Sequence, residues 1–216
     1  MKRREGGARE KMREREKKVS CRLLQVLNRL KASLFPRPRG VFFDLISCNP
    51  DLYGPFWIAT TLILSMAVTG NLASFFAFVP SADRPEWTYN FNQLTLAGSV
   101  VYSYVSLLPL VLWLLLSYNE ASKRLVDILC IYGYALSIFV PVSFLCVLPS
   151  DLFRWSLVFL GGCISGVFLL SNFHAHLSDA FPFGESHAKR KKCALLGGIA
   201  IFHFALLILF KSYFFL

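Results

Sequence analysis

The sequence predicts an all-α, polytopic membrane protein: a bundle of five transmembrane helices with an amphipathic helix ahead of it. Three observations carry that expectation. The chain of 216 residues is 55% hydrophobic and 17% charged, against roughly 45–50% and 25% for a soluble domain. Its apolar residues fall in five runs, each close to the about 20 residues a helix needs to cross hydrocarbon. Its charge is lopsided: of 23 Lys and Arg residues, 14 lie between Lys2 and Arg39.

The elements follow in chain order. Residues Met1 to Lys18 mix basic and acidic side chains with Gly6 and Gly7, the composition of a solvated tail. From Val19 the pattern changes. Leu23, Leu27, Leu30 and Leu34 recur at helical spacing, with Arg22, Arg29 and Lys31 off that stripe, which predicts a short basic amphipathic helix. Pro36 and Pro38 end it. Such a helix has two places to lie: in the headgroup layer, leucines down, or on the protein's own cytosolic face. A mixed stretch, Val41 to Asn49, leads to Pro50-Asp51-Leu52-Tyr53-Gly54-Pro55, where two prolines and a glycine set a tight turn. Asp51 stands where it can cap the next helix.

The spans are expected near Phe56–Val79, Leu96–Leu116, Val126–Leu148, Trp155–Leu170 (reaching toward His174) and Cys193–Phe210. This divides the chain into a basic cytosolic segment, residues 1–54, and a membrane domain, residues 55–216. Trp57, Trp87, Trp113 and Trp155 fall mostly near span ends, as an aromatic belt requires. Five spans collect twenty Lys and Arg on the amino-terminal side and leave three, Arg84, Arg154 and Lys211, on the other. By the positive-inside rule the amino terminus is cytosolic and the carboxyl terminus lumenal or external.

Composition and motifs also exclude functions. The net charge of +10 would attract any polyanion, but the apolar runs put the basic stretch beside a bilayer, so nucleic acid is not the expected partner. The six cysteines, Cys21, Cys48, Cys130, Cys146, Cys163 and Cys193, form no CxxC pair, so neither zinc nor a disulfide framework is expected. Cys21 and Cys48, near the first span, are candidates for reversible palmitoylation. His174 and His176 are two apart, on different helical faces, with no carboxylate or cysteine to complete a metal set. No G-x-S-x-G elbow or phosphate-cradling glycine loop occurs. No enzyme and no cofactor are expected. No span carries a mid-membrane charge pair, which argues against an ion-coupled pump; Asp127 pairs on paper with Lys123 and Arg124 at the start of the third span.

Other features concern packing. Gly162 and Gly166 form a G-x-x-x-G in the fourth span, a face that lets backbones approach within one bundle or between two copies. Pro141 should kink the third span or shift its hydrogen bonds. Tyr132-Gly133-Tyr134 precedes it by about two turns.

At Asn49-Pro50-Asp51-Leu52-Tyr53-Gly54-Pro55-Phe56-Trp57, and again at Ile131-Tyr132-Gly133-Tyr134-Ala135-Leu136 with Pro141, the chain resembles the Yip domain family. These are five-span membrane proteins of the Golgi and endoplasmic reticulum, named for interaction with Ypt/Rab GTPases. The family commonly has serine where Ala135 stands. Gly70-Asn71-Leu72 is also similar, and the Leu27–Leu34 stretch before Pro36 resembles the helix that often precedes the domain. The resemblance covers roughly Val26 to the carboxyl terminus. It implies a Golgi or endoplasmic-reticulum adaptor in vesicle-mediated transport, amino terminus cytosolic and carboxyl terminus lumenal, that binds prenylated Rab-type GTPases and sister Yip proteins. It would make Asp51, Leu52, Tyr53, Gly54, Pro55, Asp127, Tyr132, Gly133, Tyr134 and Pro141 the interaction or structural motif. The basic segment ahead of it is short for the family and less acidic. The alternatives are a small membrane transporter or channel, and a curvature-shaping protein.

Overall fold

A computed structural model describes residues 13, 24–36, 42–47, 50–80, 86–148, 150–181 and 186–214. Residues 24–34 are helical and are called α1. There follow α2 (Phe42–Ser47), α3 (Tyr53–Phe76), α4 (Asn92–Tyr118), α5 (Leu125–Ala135), a 3-10 turn (Leu136–Ile138), α6 (Phe139–Leu145), α7 (Asp151–Ala180) and α8 (Ser186–Tyr213). No strand occurs among the described residues. Five helical units are long and apolar enough to cross a membrane: α3, α4, α5 with α6, α7, and α8. In lipid every backbone polar group must be satisfied within its own segment, so apolar runs of this length become helices. The protein is therefore a multi-pass membrane protein.

The helices pack in a definite order. α3 contacts α4, α5 and α6; α7 contacts α5, α6 and α8. The third span is the most enclosed and α8 the least. One end of the bundle, here the basic end, gathers the start of α3, the end of α4, the start of α5, the end of α7 and the start of α8. The outward faces stay apolar, with Leu64, Val68, Leu114, Phe159 and Ile201 among the exposed residues. The interior holds few polar groups, and each is paired. Ser143 donates to Ser65 at 3.0 Å, Ser165 to the Ala135 carbonyl at 2.6 Å, and Tyr104 bonds His203 at 2.8 Å. Among the described residues no buried side-chain nitrogen or oxygen lacks a partner, as a low-dielectric interior demands.

Pro141 acts on the helix ahead of it. Its ring excludes an ordinary bond to the fourth preceding carbonyl, and the chain tightens into the 3-10 turn at Leu136–Ile138. Gly162 and Gly166 face α8. A Cβ on Gly162 would lie 2.3 Å from a Leu207 methyl, and one on Gly166 would lie 3.3 Å from His203. In this chain that small face packs within the bundle.

Several boundaries differ from expectation: α4 begins at Asn92, α7 at Asp151 and α8 at Ser186, each about a turn or more early. The fourth span runs ten residues past Leu170, because Asn172, Phe173 and Leu177 are buried there and Asn172 bonds back to Phe168. Apolarity alone stops short of a helix that ends in polar, protein-covered turns. α2 arises in the mixed stretch, where six residues are too few for periodicity to show. α3 begins at Tyr53, ahead of Phe56, for a reason given next.

Candidate functional site

The basic end is organised around Asp51. Its carboxylate accepts the Tyr53 N–H at 2.8 Å and the Gly54 N–H at 3.3 Å. The first donors of α3 are thus capped from just outside the helix, which lets α3 start at Tyr53. The same carboxylate lies 3.6 Å from the Arg29 guanidinium and accepts the Tyr134 hydroxyl at 3.5 Å. Its carbonyl accepts a weak bond from the Cys130 thiol at 3.2 Å. One residue therefore ties α1, α3 and α5 together.

Two glycines make that junction close. A Cβ on Gly54 would lie 2.2 Å from the Tyr134 hydroxyl oxygen and 2.7 Å from its ring. A Cβ on Gly133 would lie 2.3 Å from Pro55 Cβ and 2.8 Å from Pro55 Cα. Each motif thus supplies a glycine that seats a bulky residue of the other: Tyr134 on Gly54, Pro55 on Gly133. The two segments stand about eighty residues apart and interlock. At Gly133 the obstacle includes backbone, so no side-chain rotation relieves it.

Two arginines fasten α2 beneath this junction. Arg124 donates to both oxygens of Asp127 at 3.0 Å and to the Ser47 carbonyl at 2.8 Å. Arg29 donates to the Leu45 carbonyl at 3.5 Å. Both cations meet the carbonyl end of a helix, where the backbone dipole favours positive charge. At its other end the Phe42 N–H donates to Asn172 of α7 at 3.1 Å. Phe42 packs edge-on against Tyr134 and Phe168. Lys123 does not pair with Asp127; it lies over the Phe43 ring at 5.2 Å.

The expected site residues divide by direction. Asp51, Gly54, Pro55, Asp127, Gly133 and Tyr134 turn inward to the junction. Tyr132 points deeper, its ring 5.5 Å from Tyr104 and 6.2 Å from Phe173. Pro141 lies farther along the third span and takes no part. Leu52 and Tyr53 are exposed, with Tyr53 stacked edge-on against Trp57 at 5.9 Å.

α1 lies on the protein along a face made by Arg29 and Ser33, with Leu30 and Leu34 half-buried beside it and Lys31 exposed. Arg29 and Ser33 are 4% and 3% exposed, while Leu24 and Leu27 are 60% and 51% exposed. Ser33 bonds Ser137 at 2.9 Å. Arg29 is the residue the sequence reading missed. The available signal was polar residues four apart, Arg29 and Ser33, on one face flanking the leucine stripe. Leu23, Arg22, Cys21 and Cys48 lie outside the described residues.

Two of the histidines, His176 and His203, have local partners. His176 bonds the Ala121 carbonyl at 3.0 Å, and His203 bonds Tyr104 and, at 3.3 Å, the Gly162 carbonyl. Chemically, the junction holds neutralised charges and interlocked backbone, which suits fixing a surface in place.

The comparisons with known proteins cover most of the chain. The family model described as Yip1 domain matches residues 32–211. The chain is 38% identical over 201 residues to the protein called YIPF1 homolog of Dictyostelium discoideum, covering 92% of this chain and 52% of that protein. It is 33% identical over 185 residues to Protein YIP5 of Schizosaccharomyces pombe, covering 82% of this chain and 71% of that one. The chain thus spans about half the length of the first relative. No solved structure matches.

Proposed function

The chain belongs to the Yip1 domain family, and on that premise we propose that it is a non-enzymatic adaptor of vesicle-mediated transport. In this reading it resides in Golgi membranes or those of the early secretory pathway, with its amino terminus cytosolic and its carboxyl terminus lumenal. It binds Rab-type small GTPases and sister family proteins at its cytosolic end. The observation that carries the reading is the convergence of both family motifs at the basic end. Asp51 and the Gly54–Tyr134 and Gly133–Pro55 contacts hold that end rigid, while Leu52, Tyr53 and Trp57 stay exposed beside it. A preordered surface loses less entropy when a partner docks. The lopsided Lys and Arg count sets the proposed orientation.

The test is a mild-detergent pull-down of the tagged chain, paired with proximity labelling from its amino terminus. Enrichment of prenylated Rab proteins or sister Yip proteins at Golgi membranes supports the reading. Recovery of neither, from a chain that is abundant and correctly inserted, overturns it.

A second reading, membrane shaping, is favoured by one observation: α1 turns Leu24 and Leu27 away from the protein. Side chains so placed can enter the headgroup layer. Leu24→Ser with Leu27→Ser should then weaken curvature generation in liposomes without loosening the bundle; unchanged curvature removes this reading.

A further inference from the structure

Two neighbouring helices, α7 and α8, meet closely in one half and part in the other. Toward the far end they touch through Gly162 and Gly166, where a Cβ would meet Leu207 or His203. Toward the basic end a groove of about 600 Å³ opens between them, within the roughly 300–1,000 Å³ of small-molecule sites. Its described walls are mainly apolar, with Leu170 of α7 and Leu196, Gly197 and Ala200 of α8; His174 and Cys193 also line it. Its mouth carries Lys189 and Lys192, and no carboxylate is among the described lining residues.

The groove is chemically graded. Lys189, Lys192, Leu196 and Ala200 recur at three and four residues, so they form one helical face with cations at the top and hydrocarbon below. Lys192 is held at the mouth by Ser178 of α7, 2.5 Å away. Gly197 opens onto this space, and a Cβ built there meets nothing within 4 Å. The glycine therefore serves no helix contact, unlike Gly162. It leaves room on the wall.

We propose that this groove binds one anionic phospholipid of the leaflet at the basic end, acyl chain against Leu196, Gly197 and Ala200 and phosphate at Lys189 and Lys192. Charge complementarity selects that occupant. A zwitterionic lipid would leave its own cation beside two ammonium groups, and an uncharged isoprenoid would leave both lysines without a counterion. Basic pockets between transmembrane helices hold acidic headgroups in this way. The proposal is independent of the GTPase reading above; it needs only the membrane fold.

The experiment uses the full chain purified in a neutral detergent. Native mass spectrometry follows titration with dioleoyl phosphatidylcholine, phosphatidylserine or phosphatidylinositol 4-phosphate, or with a geranylgeranylated cysteine ester. The expected result is one retained anionic lipid per chain, favoured at least about tenfold over phosphatidylcholine. The two anionic arms tell a phosphodiester with a carboxylate from a phosphomonoester. Lys189→Ala with Lys192→Ala should lower that preference by about ten- to thirtyfold, the loss expected for two interfacial cations. Gly197→Trp should block retention of any lipid while Tm is kept, since the new ring fills open space. Equal retention of phosphatidylcholine, indifference to the lysine substitutions, or undiminished binding by a stably folded Gly197→Trp chain would each overturn the proposal. So would lysine-independent binding of the geranylgeranyl ester in preference to lipid, or a dimer that Gly197→Trp dissolves.

Discussion

At the basic end of the bundle, glycines do opposite things in two places. Between α3 and α5, Gly54 and Gly133 are used up: added methyl groups would lie 2.2 Å from Tyr134 and 2.3 Å from Pro55. Between α7 and α8, Gly197 faces open space. The first region is a junction closed by backbone-level fit and tied by Asp51. The second is a cleft kept wide. The contrast teaches that a glycine in a membrane helix reports nothing until its missing side chain is placed against its neighbours. The same small residue lets helices touch in one place and leaves room for hydrocarbon in another.

The contrast can be broken or sharpened by substitution. The largest effect is expected at Gly133→Ala, where Pro55 Cα itself obstructs the methyl. Overpacking of this kind costs about 1–3 kcal/mol, and Tm should fall well below that of the parent chain. Asp51→Ala comes next. It removes the cap of α3, worth about 0.5–2 kcal/mol, and leaves the 5%-exposed Arg29 side chain without its carboxylate. Because Asp51 is partly open to solvent, the ion pair adds less than a fully buried one would. Thermal unfolding in detergent should show a clear drop, and limited proteolysis should cut first at α1 or α2. Tyr134→Phe removes the long hydroxyl contact to Asp51 at 3.5 Å and the hydroxyl's bond with Arg29, so a loss of about 1 kcal/mol is expected. The smallest effect belongs to Gly197→Ala: no loss of Tm, and a slight gain from helix propensity. Destabilisation there as large as at Gly133 would erase the distinction between the two regions.

How much of this was legible in the sequence differs by level. The five spans were plain, because about 20 consecutive apolar residues have one stable fate in a bilayer. The motifs around Asp51 and Gly133 were legible as separate stretches, but their meeting was not. Periodicity describes a single helix face and is silent on which helix lies opposite. A kink or shifted hydrogen bonds at Pro141 followed from the missing N–H; the 3-10 turn at Leu136–Ile138 is the form the structure gives it. α2 and the inward turn of Arg29 were hidden for different reasons. Phe42–Ser47 is too short to display a period, and a basic residue flanking a leucine stripe reads as solvent-facing until Asp51 and the Leu45 carbonyl are placed beside it. Asp127 was readable as a local partner of Arg124 through i,i+3 spacing; that Arg124 also reaches Ser47 was not.

The central claim is that the Asp51–Pro55 turn and the Tyr132–Tyr134 stretch form one interlocked unit. A double-mutant cycle on Gly54 and Tyr134 tests it most directly, read as Tm and unfolding free energy in detergent. Gly54→Ala should destabilise the parent chain and cost distinctly less in a Tyr134→Leu chain, where the obstructing phenol is gone, with a coupling of about 1 kcal/mol or more. Strictly additive effects would contradict the interlock.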